Sequence, residues 1–68
     1  MRERLHNTIR EERTRLNLTQ AELATMVDVS RKTINTVENG VFIPSTILAL
    51  RIAKALGKPV ESIFQLVR

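Results

Sequence analysis

Only four residues, Val27 to Ser30, separate two stretches with helical spacing, and so short a connection leaves the two helices no room to part. The first predicted helix runs from Gln20 to Met26 and the second from Arg31 to Asn39. Thr19-Gln20-Ala21-Glu22 matches a capping box, with Thr19 capping the first helix and Glu22 reaching back. Ser30 caps the second, and Gly40 follows it at the left-handed position that glycine tolerates best. Leu23, Val27, Val29, Ile34 and Val37 supply apolar contacts from both sides of the turn, and Ala24 is the small residue that a close crossing needs.

With the apolar positions turned inward, the outer face of the second helix carries Arg31, Lys32, Asn35, Thr36 and Asn39. These side chains are donors and acceptors of the kind that meet base edges and phosphates. Two short helices at a fixed angle, the second carrying such a face, constitute a helix-turn-helix, whose second helix enters the DNA major groove. Eleven Lys and Arg against seven Asp and Glu give a net charge of +4, which favours a polyanionic partner. Charge alone is weak support, because a net charge of about 2–8 is ordinary for a small domain.

The remaining punctuation predicts helices on both flanks. Leu5, Ile9 and Leu16 mark one apolar stripe, placing a first helix from Glu3 to Leu16, with Asn17 and Leu18 as its exit. Pro44-Ser45 opens a fourth helix in which Ile47, Leu48, Leu50, Ile52, Ala53 and Leu56 are apolar on nearly every side. That helix is expected to be the buried centre, and Gly57 ends it. Pro59 suits the first turn of a fifth helix, where Val60, Ile63, Phe64 and Val67 form a last stripe. The expectation is an all-α, compact five-helix domain over residues 1–68, with Met26 in the core and His6, the single histidine, on the surface.

Other classes of function find little footing. Sixty-eight residues are few for a catalytic cleft and marginal for a lone core, so self-association is expected. The chain has no cysteine, no histidine–carboxylate constellation and no glycine-rich phosphate loop, which argues against an enzyme, a cofactor or a metal centre. No apolar run approaches the roughly 18 residues of a membrane span. The opening MRERLHNTIREER is charged throughout, unlike a signal peptide, so the expected place is the cytoplasm.

LTQAELA (Leu18 to Ala24), VSRKTINTVENG (Val29 to Gly40) and PSTILALRIAKALG (Pro44 to Gly57) together resemble the lambda-repressor/Cro-like, or Xre-type, DNA-binding family of phages, bacteria and archaea. The resemblance spans nearly the whole chain, and KPVESIF is similar to the last helix of small stand-alone members, leaving no residues for a second, sensory domain. It implies base contacts from Arg31, Lys32, Asn35 and Thr36, and contacts to the DNA backbone from Arg13, Gln20, Ser30, Thr33 and Asn39. It also implies an ion pair between Arg13 and Glu38. That pair would relieve a carboxylate disfavoured in the last turn of a helix.

Two departures from the family pattern stand out. Asp28 occupies the turn position where glycine is usual, and Val41-Phe42-Ile43 replaces a loop that is commonly polar and basic. The apolar tripeptide suits either core packing or an interface. The function implied is a dimeric, sequence-specific regulator, a repressor acting on a palindromic operator. An alternative is an antitoxin-like module that holds a protein partner and controls its own operon. Val60, Ile63, Phe64, Leu66 and Val67 are the expected dimer surface, with Phe42 and Ile43 at its edge. In small relatives the chain ends also pair as short strands, which here would set Arg2 to Leu5 beside Gln65 to Arg68.

Overall fold

The computed structural model describes residues 3–67. In chain order they form β1 (Arg4–Asn7), α1 (Ile9–Arg15), α2 (Gln20–Met26), α3 (Arg31–Glu38), α4 (Thr46–Leu56), α5 (Val60–Ile63) and β2 (Phe64–Val67). The helices wrap a core of Ile9, Leu23, Ala24, Val27, Ile34, Val37, Leu48, Ile52, Ala53, Leu56 and Ile63. Ala24 is buried where α2 meets α3, and Val29 packs against the core from the turn. No polar or charged residue joins this core among the described residues, so the core is purely hydrophobic.

The helix starts follow the cap chemistry. Thr19 accepts from the Glu22 amide at 3.0 Å, and the Glu22 carboxylate accepts from the Thr19 amide at 2.8 Å, which satisfies two orphan donors of α2. Ser30 and Ser45 cap α3 and α4 in the same way, each accepting an amide at 3.1 Å. The helix ends share a device too. After α2, Asp28 takes φ +61°, with the Asp28 amide donating to Thr25 and the Val29 amide to Ala24. This is the doubly bonded left-handed exit that a glycine would form at lower cost. Asn17 does the same after α1, and Gly40 and Gly57 after α3 and α4.

Four expectations need correction. The fold is not all-α, because β1 and β2 form an antiparallel two-stranded sheet in the register Arg4↔Val67, Leu5↔Leu66, His6↔Gln65 and Asn7↔Phe64. The chain ends thus pair as strands within one chain, with Arg2 and Arg68 lying outside the described residues. The first helix therefore starts at Ile9 rather than Glu3. Asn7 and Thr8 tie the chain down there: the Asn7 amide group donates to the Val37 carbonyl at 3.0 Å, and the Thr8 backbone donates to Ile63 at 3.0 Å. These long-range bonds outweigh the helical spacing of Leu5 and Ile9.

Second, α4 is not apolar-buried all round: Ile47 and Leu50 are 65% and 51% exposed, because no element among the described residues covers that side of the helix. Third, Met26 is exposed at the end of α2, where the turn carries the chain into the core through Val27 instead. Fourth, α5 lasts only to Ile63, where the chain straightens into β2. Ile63 itself is fully buried inside the single chain and so leaves the expected dimer surface.

Candidate nucleic-acid interface

α3 is strongly amphipathic. Ile34 and Val37 face the core, while Arg31, Lys32, Asn35 and Asn39 are exposed, with Thr33 and Thr36 half-buried along the edge. Arg31 and Lys32 occupy the first turn, which holds no acidic residue, and neither joins an ion pair among the described residues. Two cations at the positive end of a helix dipole raise the local potential, and an external anion lowers it. The Ser30 hydroxyl, at the helix entrance, lies 3.0 Å from that of Thr33.

A polar ring holds this helix to its neighbours. The Glu38 side chain is 1% exposed and accepts from Arg13 through Nε at 2.6 Å and a terminal nitrogen at 3.1 Å. Gln20 Nε2 donates to the same carboxylate at 3.1 Å and to Asn35 Oδ1 at 3.2 Å. Asn39 Nδ2 also donates to Asn35 Oδ1, at 3.3 Å. Arg10 donates to Asn39 Oδ1 at 3.4 Å and lies 3.7 Å from Glu38, closing the ring. Burial pushes the Glu38 carboxyl up, but hydrogen bonds from Arg13 and Gln20 and the charges of Arg13 and Arg10 outweigh it, so the group stays below the ordinary carboxylate value. One carboxylate thereby locks α1, α2 and α3 together.

The ring assigns its members different freedoms. Arg13, expected both to pair with Glu38 and to meet the DNA backbone, has a side chain only 13% exposed and also donates to the Leu18 carbonyl at 2.9 Å. Arg10 is the outward member, its side chain 64% exposed. Sequence reasoning missed Arg10, although it stands three residues before Arg13 and so shares its helix face. Asn35 Oδ1 is occupied by Gln20 and Asn39, so its Nδ2 group is the outward donor. The bidentate pairing of asparagine with adenine needs the oxygen as well. Asn35 is thus set up to donate, not to accept. Of the remaining expected residues, Gln20, Ser30, Thr33, Thr36 and Asn39 all lie on or beside α3.

The opposite problem arises at Val41, Phe42 and Ile43. All three are exposed, which removes the core-packing explanation. A groove of about 510 Å³ brings Phe42 and Ile43 together with Phe64 and Val67 from the sheet end. Leu66 is exposed on β2, and Val60 and Phe64 are half-buried against the core.

Comparison with known proteins agrees with this geometry. The helix-turn-helix family model matches residues 9–63. The chain is 52% identical over 61 residues to an uncharacterized HTH-type transcriptional regulator of Methanothermobacter thermautotrophicus, covering 88% of each. It is 37% identical over 62 residues to the uncharacterized HTH-type transcriptional regulator YgzD of Bacillus subtilis, covering 91% of this chain and 94% of that one. Among solved structures it resembles the restriction-modification controller protein C.AhdI from Aeromonas hydrophila. The TM-score is 0.76 at 31% identity, covering 79% of this chain and 82% of that one. The matched family is one of DNA-binding regulators rather than enzymes, and no helix among the described residues is long and apolar enough to cross a membrane. The chain belongs to the helix-turn-helix family of DNA-binding transcriptional regulators, of the Xre, lambda-repressor-like type.

Proposed function

We propose that the protein is a cytoplasmic, sequence-specific repressor that binds a palindromic operator as a homodimer, with α3 of each copy in a major groove. The observation that carries this reading is the outward face of α3. Arg31 and Lys32, at its start, join no ion pair among the described residues, and the Glu38 ring ties its end to α1 and α2. Arg31, Lys32, Asn35 and Thr36 read bases, Asn35 as a donor. Gln20, Ser30, Thr33 and Asn39 meet phosphates, with Arg10 rather than the enclosed Arg13 as the cation beside them.

One α3 covers too few base pairs for useful discrimination in a genome, and a two-fold pair spaces two such helices by roughly 34 Å, one turn of DNA. Val60, Phe64, Leu66 and Val67, joined by Phe42 and Ile43, supply the apolar contact between copies. The second reading, an antitoxin-like module, rests on Ile47 and Leu50, which leave a further apolar side of α4 uncovered for a protein partner.

Selection of sites from random duplexes, followed by anisotropy titrations at several salt concentrations, tests the DNA reading. Affinity should fall steeply with salt. Arg31→Ala and Lys32→Ala should each cost about 1–3 kcal/mol on the selected site and less on random DNA. Equal losses on both would reduce these residues to phosphate contacts. Absence of binding to any duplex at low salt would end the proposal.

A further inference from the structure

Val41 and Phe42 are large apolar residues left 78% and 49% exposed beside the polar face of α3. They are not loosely held there. Gly40, at φ +75°, turns the chain back on the helix, and the amides of Val41 and Phe42 both donate to the Thr36 carbonyl, at 2.9 and 3.2 Å. The backbone of both residues is therefore held against α3. Together with Lys32, Thr33 and Thr36 they line a shallow, mainly apolar cleft of about 340 Å³.

The two threonines contribute carbon to this cleft. The Thr36 hydroxyl donates back into the helix, to the carbonyls of Lys32 and Thr33 at 3.0 Å each. The Thr33 hydroxyl is engaged with Ser30 at 3.0 Å. With the Thr36 proton engaged inside the helix, and the Ser30–Thr33 pair keeping one hydroxyl proton for a phosphate, the threonine γ-methyl groups supply the carbon of this mainly apolar cleft. Lys32 brings an aliphatic stem and a cationic end to the rim, a position that admits an apolar group carried by a polyanion.

We infer that this cleft takes the C5-methyl group of a pyrimidine in the major groove, so that Thr36, Val41 and Phe42 are specificity-determining residues. The inference rests on the reading of α3 as the major-groove helix. In that groove the C5-methyl is the apolar feature of the base edges, and threonine methyl and phenylalanine are among the groups that meet it. A protein partner seated in the same cleft would cover Lys32 and the face of α3, and so compete with DNA. Because the cleft tests for the methyl group rather than for a base-pairing edge, it accepts 5-methylcytosine where it accepts thymine.

The test uses a duplex selected from random sequence, with each thymine replaced in turn by deoxyuridine, which removes only the methyl group. Binding is read by anisotropy at fixed salt. Burying one such carbon contributes roughly 0.8 kcal/mol, so one position per half-site should weaken by about fourfold. Cytosine at that position should gain by a similar factor on 5-methylation. Thr36→Ser keeps the hydroxyl bonds and deletes the methyl, and Val41→Ala acts at an exposed site where folding is not at stake. Both should bring the thymine-to-uracil ratio towards one. Selective binding in which no thymine responds would overturn the inference while leaving α3 as the reading helix. So would a response that both variants leave unchanged. Loss of all sequence-selective binding would overturn both.

Discussion

Removing Glu38 should destabilise this protein far more than removing an ordinary surface charge. In Glu38→Ala, Arg13 loses both of its contacts to the carboxylate, at 2.6 and 3.1 Å, and Gln20 loses one at 3.1 Å. Arg13, whose side chain is only 13% exposed in the native chain, keeps the Leu18 carbonyl as its remaining acceptor. Breaking a buried pair from one side costs about 3–5 kcal/mol, and the retained Leu18 bond and partial exposure place this case near 2–4. A 68-residue chain has roughly 3–10 kcal/mol in total, so the variant should lie close to its unfolding threshold. Urea unfolding followed by circular dichroism measures the loss. A double-mutant cycle with Arg13→Ala should return a favourable coupling of about 1–3 kcal/mol. The same contacts set a pH dependence. Because the native Glu38 carboxyl lies below its ordinary value of 4.5, its contribution is complete above that pH and is lost as pH falls through the lowered native value. Glu38→Gln should flatten that acid limb. Strict additivity in the cycle, with a Glu38→Ala cost under about 0.5 kcal/mol, would refute the ring as a brace and leave two independent charges.

Two further outcomes check the turn and the assembly. Asp28 holds φ +61° at the exit from α2, so Asp28→Gly should raise stability by about 0.5 kcal/mol and Asp28→Val should lower it by about 1–2; equal stability of the two variants would remove strain from the account. Sedimentation equilibrium at micromolar concentration should report twice the 7.8 kDa chain mass, and Leu66→Glu should shift it towards monomer and weaken binding to a two-half-site operator; a monomeric wild-type protein would refute the dimer.

Local chemistry settled the centre of the molecule without the fold. The capping box at Thr19, the serine cap at Ser30, the Pro44-Ser45 opening, and Gly40 and Gly57 act through groups a few residues apart, so the starts and ends of α2 to α4 were legible in the chain itself. The apolar positions Leu23, Ala24, Val27, Ile34 and Val37 were legible for the same reason: a four-residue turn leaves them one way to pack. The Arg13–Glu38 ion pair came from family resemblance, because spacing alone does not join residues 25 apart. Where the outcome depended on distant partners, local pattern misled. Leu5 and Ile9 have helical spacing, yet Leu5 lies in a strand because Phe64–Val67 offers backbone partners at the other end of the chain. Ile47, Leu50 and Met26 are as apolar as their buried neighbours, and only the arrangement of the helices decided that they stay exposed. Ile63 went the other way, into the core. Arg10 and Asn35 took their roles from a ring assembled by three helices, which exists only once tertiary packing has brought their side chains within hydrogen-bond reach.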